Sequence, residues 1–135
     1  TLDIVPLDNN ARKFAKLLGI EITGESKSLS REELLQRMSK NNVNLYVTFS
    51  ECAPMLPLES FEVGVPCIMG NNNHYFKNSE LEDLIVVKTE DDIIEIKEKI
   101  NNSIENKEKI LKLYQEFRTK NLEQEKENIK DFLRM

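Results

Sequence analysis

Apolar residues fall into two regimes along this chain. As far as Val87 they come in short runs separated by charged stretches. Beyond Glu90 they recur every three or four residues among Lys, Glu and Asn. The first run, Leu2 to Pro6, ends at a proline and predicts a short buried strand. Asp8 is placed to cap a helix over Asn9 to Leu18, where Ala11, Phe14, Ala15, Leu17 and Leu18 share a face and Gly19 supplies the stop. Ile20 to Thr23 alternates as a strand and ends at Gly24. Ser30 and Glu33 form a capping box, in which each residue's side chain accepts the other's amide. The helix behind it presents Leu34, Leu35 and Met38 and runs to about Lys40. Val43 to Phe49, dense in β-branched and aromatic residues, is the strongest strand of the chain. A short helix follows over Leu56 to Val63, closed by Gly64. Then come a strand over Val65 to Met69, with Pro66 near its start, and a short strand over Leu84 to Val87.

Strands alternating with helices predict an α/β fold, a parallel sheet covered by helices. The strand C-termini of such a sheet share one edge, where ligands bind, and the loop after Phe49 lies on that edge. The remainder reads as helical. One helix starts at Asp91 and Asp92, carries Ile93, Ile94, Ile96 and Ile100, and ends near Asn101 and Asn102. A long one over Asn106 to Met135 carries Ile110, Leu111, Leu113, Tyr114 and Phe117, then Leu122, Ile129, Phe132 and Leu133. The expected division is 1–89 for the sheet and 90–135 for helices packing on it or extending from it. The long helix reads as an amphipathic element lying across the domain, or as a partner-binding or coiled-coil tail. Its spacing is not a sustained heptad, which weighs against the tail.

Length and charge narrow the function. The 135 residues fit a single domain, and 19 basic against 24 acidic side chains leave a net charge of −5. A dedicated nucleic-acid binder carries a basic excess, so no nucleic-acid partner is expected. No apolar run approaches the ~18 residues of a transmembrane helix, and Thr1 to Pro6 does not read as a signal peptide. Thr1 stands where an initiator Met would, so the chain is expected to begin inside something larger or after a removed segment. The expected location is cytoplasmic, or peripheral to a membrane in the full-length protein. Cys52 and Cys67 have no CxxC spacing, and the lone His74 completes no usual zinc pattern with them. Both read as buried structural thiols.

One segment carries chemistry: Phe49 to Gly70, FSECAPMLPLESFEVGVPCIMG. A strand delivers Ser50 and Glu51 to the sheet edge, and Glu59 follows on the first turns of a helix. The unpaired amides of a helix N-terminus, with about half a positive charge, suit a phosphate. A nearby carboxylate accepts two hydrogen bonds from a vicinal diol such as a ribose. A second carboxylate at the loop start can approach a sugar or an oxocarbenium-like charge. The competing reading makes Glu51 a cap for the helix region and Glu59 a solvated surface residue.

The Glu51-x7-Glu59 spacing, preceded by Phe49-Ser50 and followed by Ser60-Phe61-Glu62-Val63-Gly64-Val65-Pro66, resembles the E-x7-E segment of retaining glycosyltransferases of the GT-B architecture. Specifically, it resembles the C-terminal, nucleotide-sugar-binding domain of the group 1 or family 4 type. The likeness covers roughly Leu2 to Val87. It implies a Rossmann-like parallel sheet flanked by helices, with a long C-terminal helix, and transfer of a hexose from an NDP-sugar to a glycan, lipid or other acceptor. By resemblance Glu51 is the catalytic carboxylate approaching the donor sugar, and Glu59 binds the ribose hydroxyls. Cys52, Ala53, Met55 and Leu56 offer amides toward the diphosphate, and the loop from Gly24 to Ser28 lies near the base. Asn72 and His74, in the loop after the 65–69 strand, are candidate donor- or acceptor-side contacts. No metal and no cofactor are expected, since no Asp-x-Asp motif occurs; the nucleotide-sugar is a substrate. The acceptor-binding N-terminal domain and the phosphate-gripping Arg and Lys of the family are not in this chain, so activity alone is not expected. Pro54 and Pro57 depart from the Gly-rich family pattern and have no amide to give. A homodimer through the C-terminal helix is a further expectation, because its apolar stripe needs a cover. The alternative reading is a non-catalytic Rossmann-like module whose charged C-terminal helix docks a partner.

Overall fold

The computed structural model describes residues 2–5 and 7–134. The chain is α/β, with two small parallel sheets flanked by helices and a long C-terminal helix, consistent with a Rossmann-like fold. It divides into two compact units, Thr1–Arg37 and Met38–Met135, each holding one of the sheets. The sequence rhythm predicts a single sheet; the structure has two. Helix-linked strands call for parallel neighbours, but the pattern does not say which strand neighbours which across a given helix.

In the first unit, β1 (Leu2–Ile4) runs parallel to β2 (Ile22–Gly24), with Leu2 opposite Ile22 and Ile4 opposite Gly24. Pro6, the expected end of the first strand, lies outside the described residues. Between the strands, α1 (Asn9–Leu18) starts where Asp8 accepts the amide of Ala11 at 2.7 Å and stops at Gly19, which adopts a left-handed φ of 64°. Its apolar face is only partly covered. Ala15 is buried, while Phe14, Leu17 and Leu18 are exposed. The capping box is formed at the head of α2 (Arg31–Met38): the Ser30 amide donates to Glu33 at 2.8 Å, and the Glu33 amide donates to Ser30 Oγ at 3.3 Å. Arg37, in the last turn of α2, donates to Asp3 on β1 at 2.7 Å, and Thr23 on β2 donates to the same carboxylate at 2.9 Å. Those bonds, the Arg37 one foremost, hold Asp3 below the usual carboxylate range.

The second unit contains β3 (Asn44–Tyr46), α3 (Met55–Glu62), β4 (Cys67–Gly70), α4 (Glu80–Ile85), β5 (Val86–Val87), α5 (Ile93–Glu105) and α6 (Lys107–Arg134). The sheet order is β3-β4-β5, all parallel. Strand β4 is buried along its whole length, as expected of a central parallel strand. The expected strand over Leu84 to Val87 is only half strand: Leu84 and Ile85 end α4, and Val86 and Val87 pair with the sheet. Four apolar residues in a row read alike as a buried helix end or as a strand. Around β4 the core gathers Phe61, Phe76, Leu81, Ile85, Val87, Ile110 and Tyr114. Phe61 stacks on Tyr114 with ring centroids 4.4 Å apart, and Phe76 meets Phe61 edge-on at 5.9 Å. These contacts press the first turns of α6 onto α3. There the Tyr114 hydroxyl donates to Glu62 at 3.0 Å, and Arg118 pairs with Glu62 at 3.1 Å. From Arg118 to Arg134 every residue of α6 is exposed, Leu122, Ile129, Phe132 and Leu133 included.

Candidate functional site

The C-terminal edge of β3-β4-β5 is built from the loops that leave each strand, and side chains lace those loops together. After β3, Thr48 accepts the Asn72 amide through both its carbonyl oxygen and, at 3.0 Å, its hydroxyl. After β4, the Asn71 backbone amide donates at 3.1 Å to Glu90, which follows β5. Gly70 ends β4 in this narrow place. A Cβ there would stand 2.7 Å from the Thr48 carbonyl oxygen, so only glycine fits without displacement.

β3 and its flanks supply the polar part of the edge by simple alternation. Successive strand residues point to opposite faces, so Asn44, Tyr46 and Thr48 share one side, and the intervening 43, 45 and 47 are all apolar. Asn44 donates to Ser60 on α3 at 2.8 Å. The Tyr46 hydroxyl donates to Glu51 Oε2 at 2.8 Å. Thr48 receives Asn72. One strand thereby fixes α3, the loop before α3, and the loop after β4.

Glu51 sits half-buried in the loop past β3. Tyr46 holds one carboxylate oxygen, and the Cys52 amide donates to the other at 3.0 Å. Both bonds favour the ionised form, Tyr46 more strongly. The Ala53 amide adds to them, and together they hold Glu51 below the ordinary glutamate range against a smaller opposing effect of burial. The same bond pushes the Tyr46 phenol up. The Cys52 and Ala53 amides are thus turned to Glu51, leaving Met55 and Leu56 as the amides at the head of α3. That helix starts from Pro54 with no side-chain cap. Pro54 and Pro57 contribute no donors, so Met55 and Leu56 carry whatever the N-terminus offers an anion.

Glu59 lies on the second turn of α3, half-buried, its carbonyl oxygen accepting the Val63 amide at 3.1 Å. The buried face of the same helix is Pro57, Ser60 and Phe61. Cys67 is buried and its thiol is pushed up to about 12 by that burial. Cys52 is exposed, which corrects the expectation of two buried thiols. It belongs to the loop rather than to a strand, and local apolar neighbours do not bury a loop residue. His74 is exposed, and the Asn72 side-chain amide is committed to Thr48. Gly24 belongs to the first unit, where its place is fixed by packing. With φ at 155°, a Cβ would stand 2.0 Å from the Ile4 carbonyl oxygen.

A cavity of about 330 Å³ opens between α4, β5 and α5, floored by Val86 and Val87; neither Glu51 nor Glu59 lines it. Its polar wall is largely self-satisfied. Lys99 donates to the Asp83 carbonyl at 2.7 Å, and Glu95 accepts the Lys88 amide at 2.9 Å. Among the described residues no group of three or more His, Cys, Asp or Glu is arranged to hold a metal. No helix among them is long and apolar enough to cross a membrane.

Sequence reasoning missed Tyr46, which is read there only as a strand former. The alternation of polar Asn44, Tyr46 and Thr48 with apolar Val43, Leu45 and Val47 is the signal that marks it. No protein family, no curated protein and no solved structure matches this chain.

Proposed function

We propose that this chain is the donor-binding part of a retaining glycosyltransferase, which moves a hexose from an NDP-sugar to a glycan, lipid or other acceptor. The observation that carries the reading is the β3-loop-α3 segment. A carboxylate, Glu51, is held ionised at the sheet edge beside a helix head whose Met55 and Leu56 amides have no side-chain cap. The diphosphate binds at those amides, where the end of α3 offsets its charge. Glu59 accepts the ribose hydroxyls, and Glu51 faces the charge that develops on the donor sugar as its bond to phosphate breaks. Asn72 and His74 belong to a neighbouring loop that flanks the donor; the Asn72 side-chain amide shapes that loop rather than reaching the sugar. The acceptor is held by a further domain, N-terminal in the full-length protein, and catalysis requires both.

In this reading the protein works in the cytoplasm, free or peripheral to a membrane, and a second copy docks along the exposed stripe of α6. The second reading, a non-catalytic module that docks a partner through α6, is favoured by that same exposed stripe. Calorimetric titration with UDP-glucose, ADP-glucose and GDP-mannose separates the two. The enzyme reading expects one of the three to bind, Glu59→Ala to abolish that binding, and Lys126→Ala on α6 to leave it unchanged. Binding to the wild type and to Glu59→Ala alike removes the ribose assignment.

A further inference from the structure

Most polar side chains on the β3 edge have structural partners that account for them. Asn44 ties β3 to α3, and Thr48 ties β3 to the loop after β4. Tyr46 differs, because its hydroxyl ends on a carboxylate at the site proposed above rather than on a neighbouring element of the scaffold. The ring is anchored against the core of the second unit, which gives the phenol a fixed origin on a strand. Its bond to Glu51 Oε2 measures 2.8 Å, and the Cys52 amide takes Oε1 at 3.0 Å. A glutamate on a loop has three rotatable side-chain bonds. Two donors on two oxygens, one of them rooted in a strand, select one orientation of the carboxylate. A loop glutamate without the phenol would keep only the Cys52 and Ala53 amides, which move with the loop.

We infer that Tyr46 is the positioning residue of Glu51, aligning its carboxylate toward the donor sugar in the site proposed above. This rests on the donor-binding reading. Glu51 touches the ligand, and Tyr46 acts only through Glu51. Tyr46→Phe therefore keeps the ring and its packing and removes the one bond that matters. Tyr46 is also the first cause of the lowered Glu51 pKa, so its loss moves Glu51 back up toward the ordinary range.

The test uses the full chain and three readouts. Thermal unfolding checks that Tyr46→Phe is folded, with a midpoint close to wild type. A carbon-detected NMR titration follows the Glu51 carboxyl, whose midpoint rises in Tyr46→Phe. Calorimetry with whichever of UDP-glucose, ADP-glucose or GDP-mannose binds wild type gives the affinity. That affinity falls by about three- to tenfold in Tyr46→Phe, the range for one hydrogen bond to a partly exposed charge. In a Glu51→Ala background, adding Tyr46→Phe has little effect, because the acceptor that Tyr46 serves is gone. A scaffold role would give equal losses in both backgrounds and no movement of the Glu51 titration.

If Tyr46→Phe binds donor as wild type does while Glu59→Ala loses it, the positioning role is wrong and the donor-binding reading stands. If none of the three nucleotide-sugars binds, or if Glu51→Ala and Glu59→Ala both bind like wild type, the donor-binding reading fails and the role of Tyr46 fails with it.

Discussion

Ser60 on α3 and Ser103 on α5 are both 0% exposed, and both sit within helices of the second unit. Replacing either by alanine is the same chemical change, yet the structure gives the two replacements opposite signs. Ser60 Oγ donates to the Val65 carbonyl at 2.7 Å and accepts the Asn44 amide at 2.8 Å. Ser103 Oγ is a buried side-chain oxygen with no partner among the described residues. Each satisfied bond contributes about 0.5–1.5 kcal/mol net, and removing the hydroxyl strands its partners as well. Alanine returns a few tenths of a kcal/mol (~0.5 at most) in helix propensity. Ser60→Ala should therefore cost about 1–2 kcal/mol. At Ser103 there is no bond to lose. A buried hydroxyl without a partner carries a desolvation cost of about 1–3 kcal/mol in proteins, so Ser103→Ala should gain about 1 kcal/mol after the small loss of packing.

Guanidinium unfolding followed by tyrosine signals is the assay. The three tyrosines all lie in the second unit and there is no tryptophan, so the probe reports that unit alone. The midpoint should fall for Ser60→Ala and rise for Ser103→Ala with unchanged slope. In a thermal scan each kcal/mol should appear as a shift of about 4–8 °C for a unit of this size. Loss of stability in Ser103→Ala as large as that in Ser60→Ala would refute the reasoning, because it would mean that the Ser103 hydroxyl has a partner.

Further outcomes follow from the same structure. A thiol reagent should modify Cys52 alone in the native protein and Cys67 only after denaturation, since Cys52 is exposed and Cys67 is buried with its thiol pushed up to about 12; two fast-reacting thiols in native buffer would contradict this. Tyr114 is held neutral to about 12 by burial and its bond to Glu62, against 10.0 when free. A raised phenol pKa favours the fold below pH 10, so that contribution should be lost as pH rises through 10 toward 12, and Tyr114→Phe should flatten this part of the alkaline stability curve. Asp3 is lowered from 3.8 chiefly by Arg37, so its contribution to the first unit is present above that pH and should vanish as acid protonates it; Asp3→Asn should remove this acid dependence. Gly24→Ala should break the β1–β2 pairing, seen as lost amide protection at Ile22 to Gly24, since the new Cβ would meet the Ile4 carbonyl.

Elements with a local chemical mark were legible in the sequence. Asp8 and Gly19 bound α1 as their types require, and the Ser30–Glu33 capping box stands at the head of α2. The Gly64 turn closes α3, and Asp92 caps α5 by accepting the amides of Ile94 and Glu95. What depends on distant neighbours was not legible. The run Leu84 to Val87 divides between α4 and β5 because Glu80, Glu82 and Asp83 supply a helical first turn while only Val86 and Val87 meet β4. The α1 face reads as core by periodicity, yet Phe14, Leu17 and Leu18 stay exposed, because periodicity says which residues lie together and not what covers them. At the candidate site, the positions of Glu51 and Glu59 on loop and helix were legible from strand, proline and glycine signals. The turning of the Cys52 and Ala53 amides onto Glu51 was not, since a loop's hydrogen bonds follow from its three-dimensional path.

The 28 residues of α6 extend about 42 Å at the usual ~1.5 Å rise. Among the described residues its apolar packing ends at Phe117 and its last tie to another element is the Arg118–Glu62 pair. Helices without such support are held by propensity and a few surface pairs, here Lys130 with Glu127 and Arg134 with Asp131, and they unwind gradually rather than all at once. Warming should therefore bleed far-ultraviolet ellipticity along a steady slope well before the aromatic cluster yields. A melting temperature read from helical ellipticity alone would report the fraying of this arm and misjudge the cooperativity of the body that carries it.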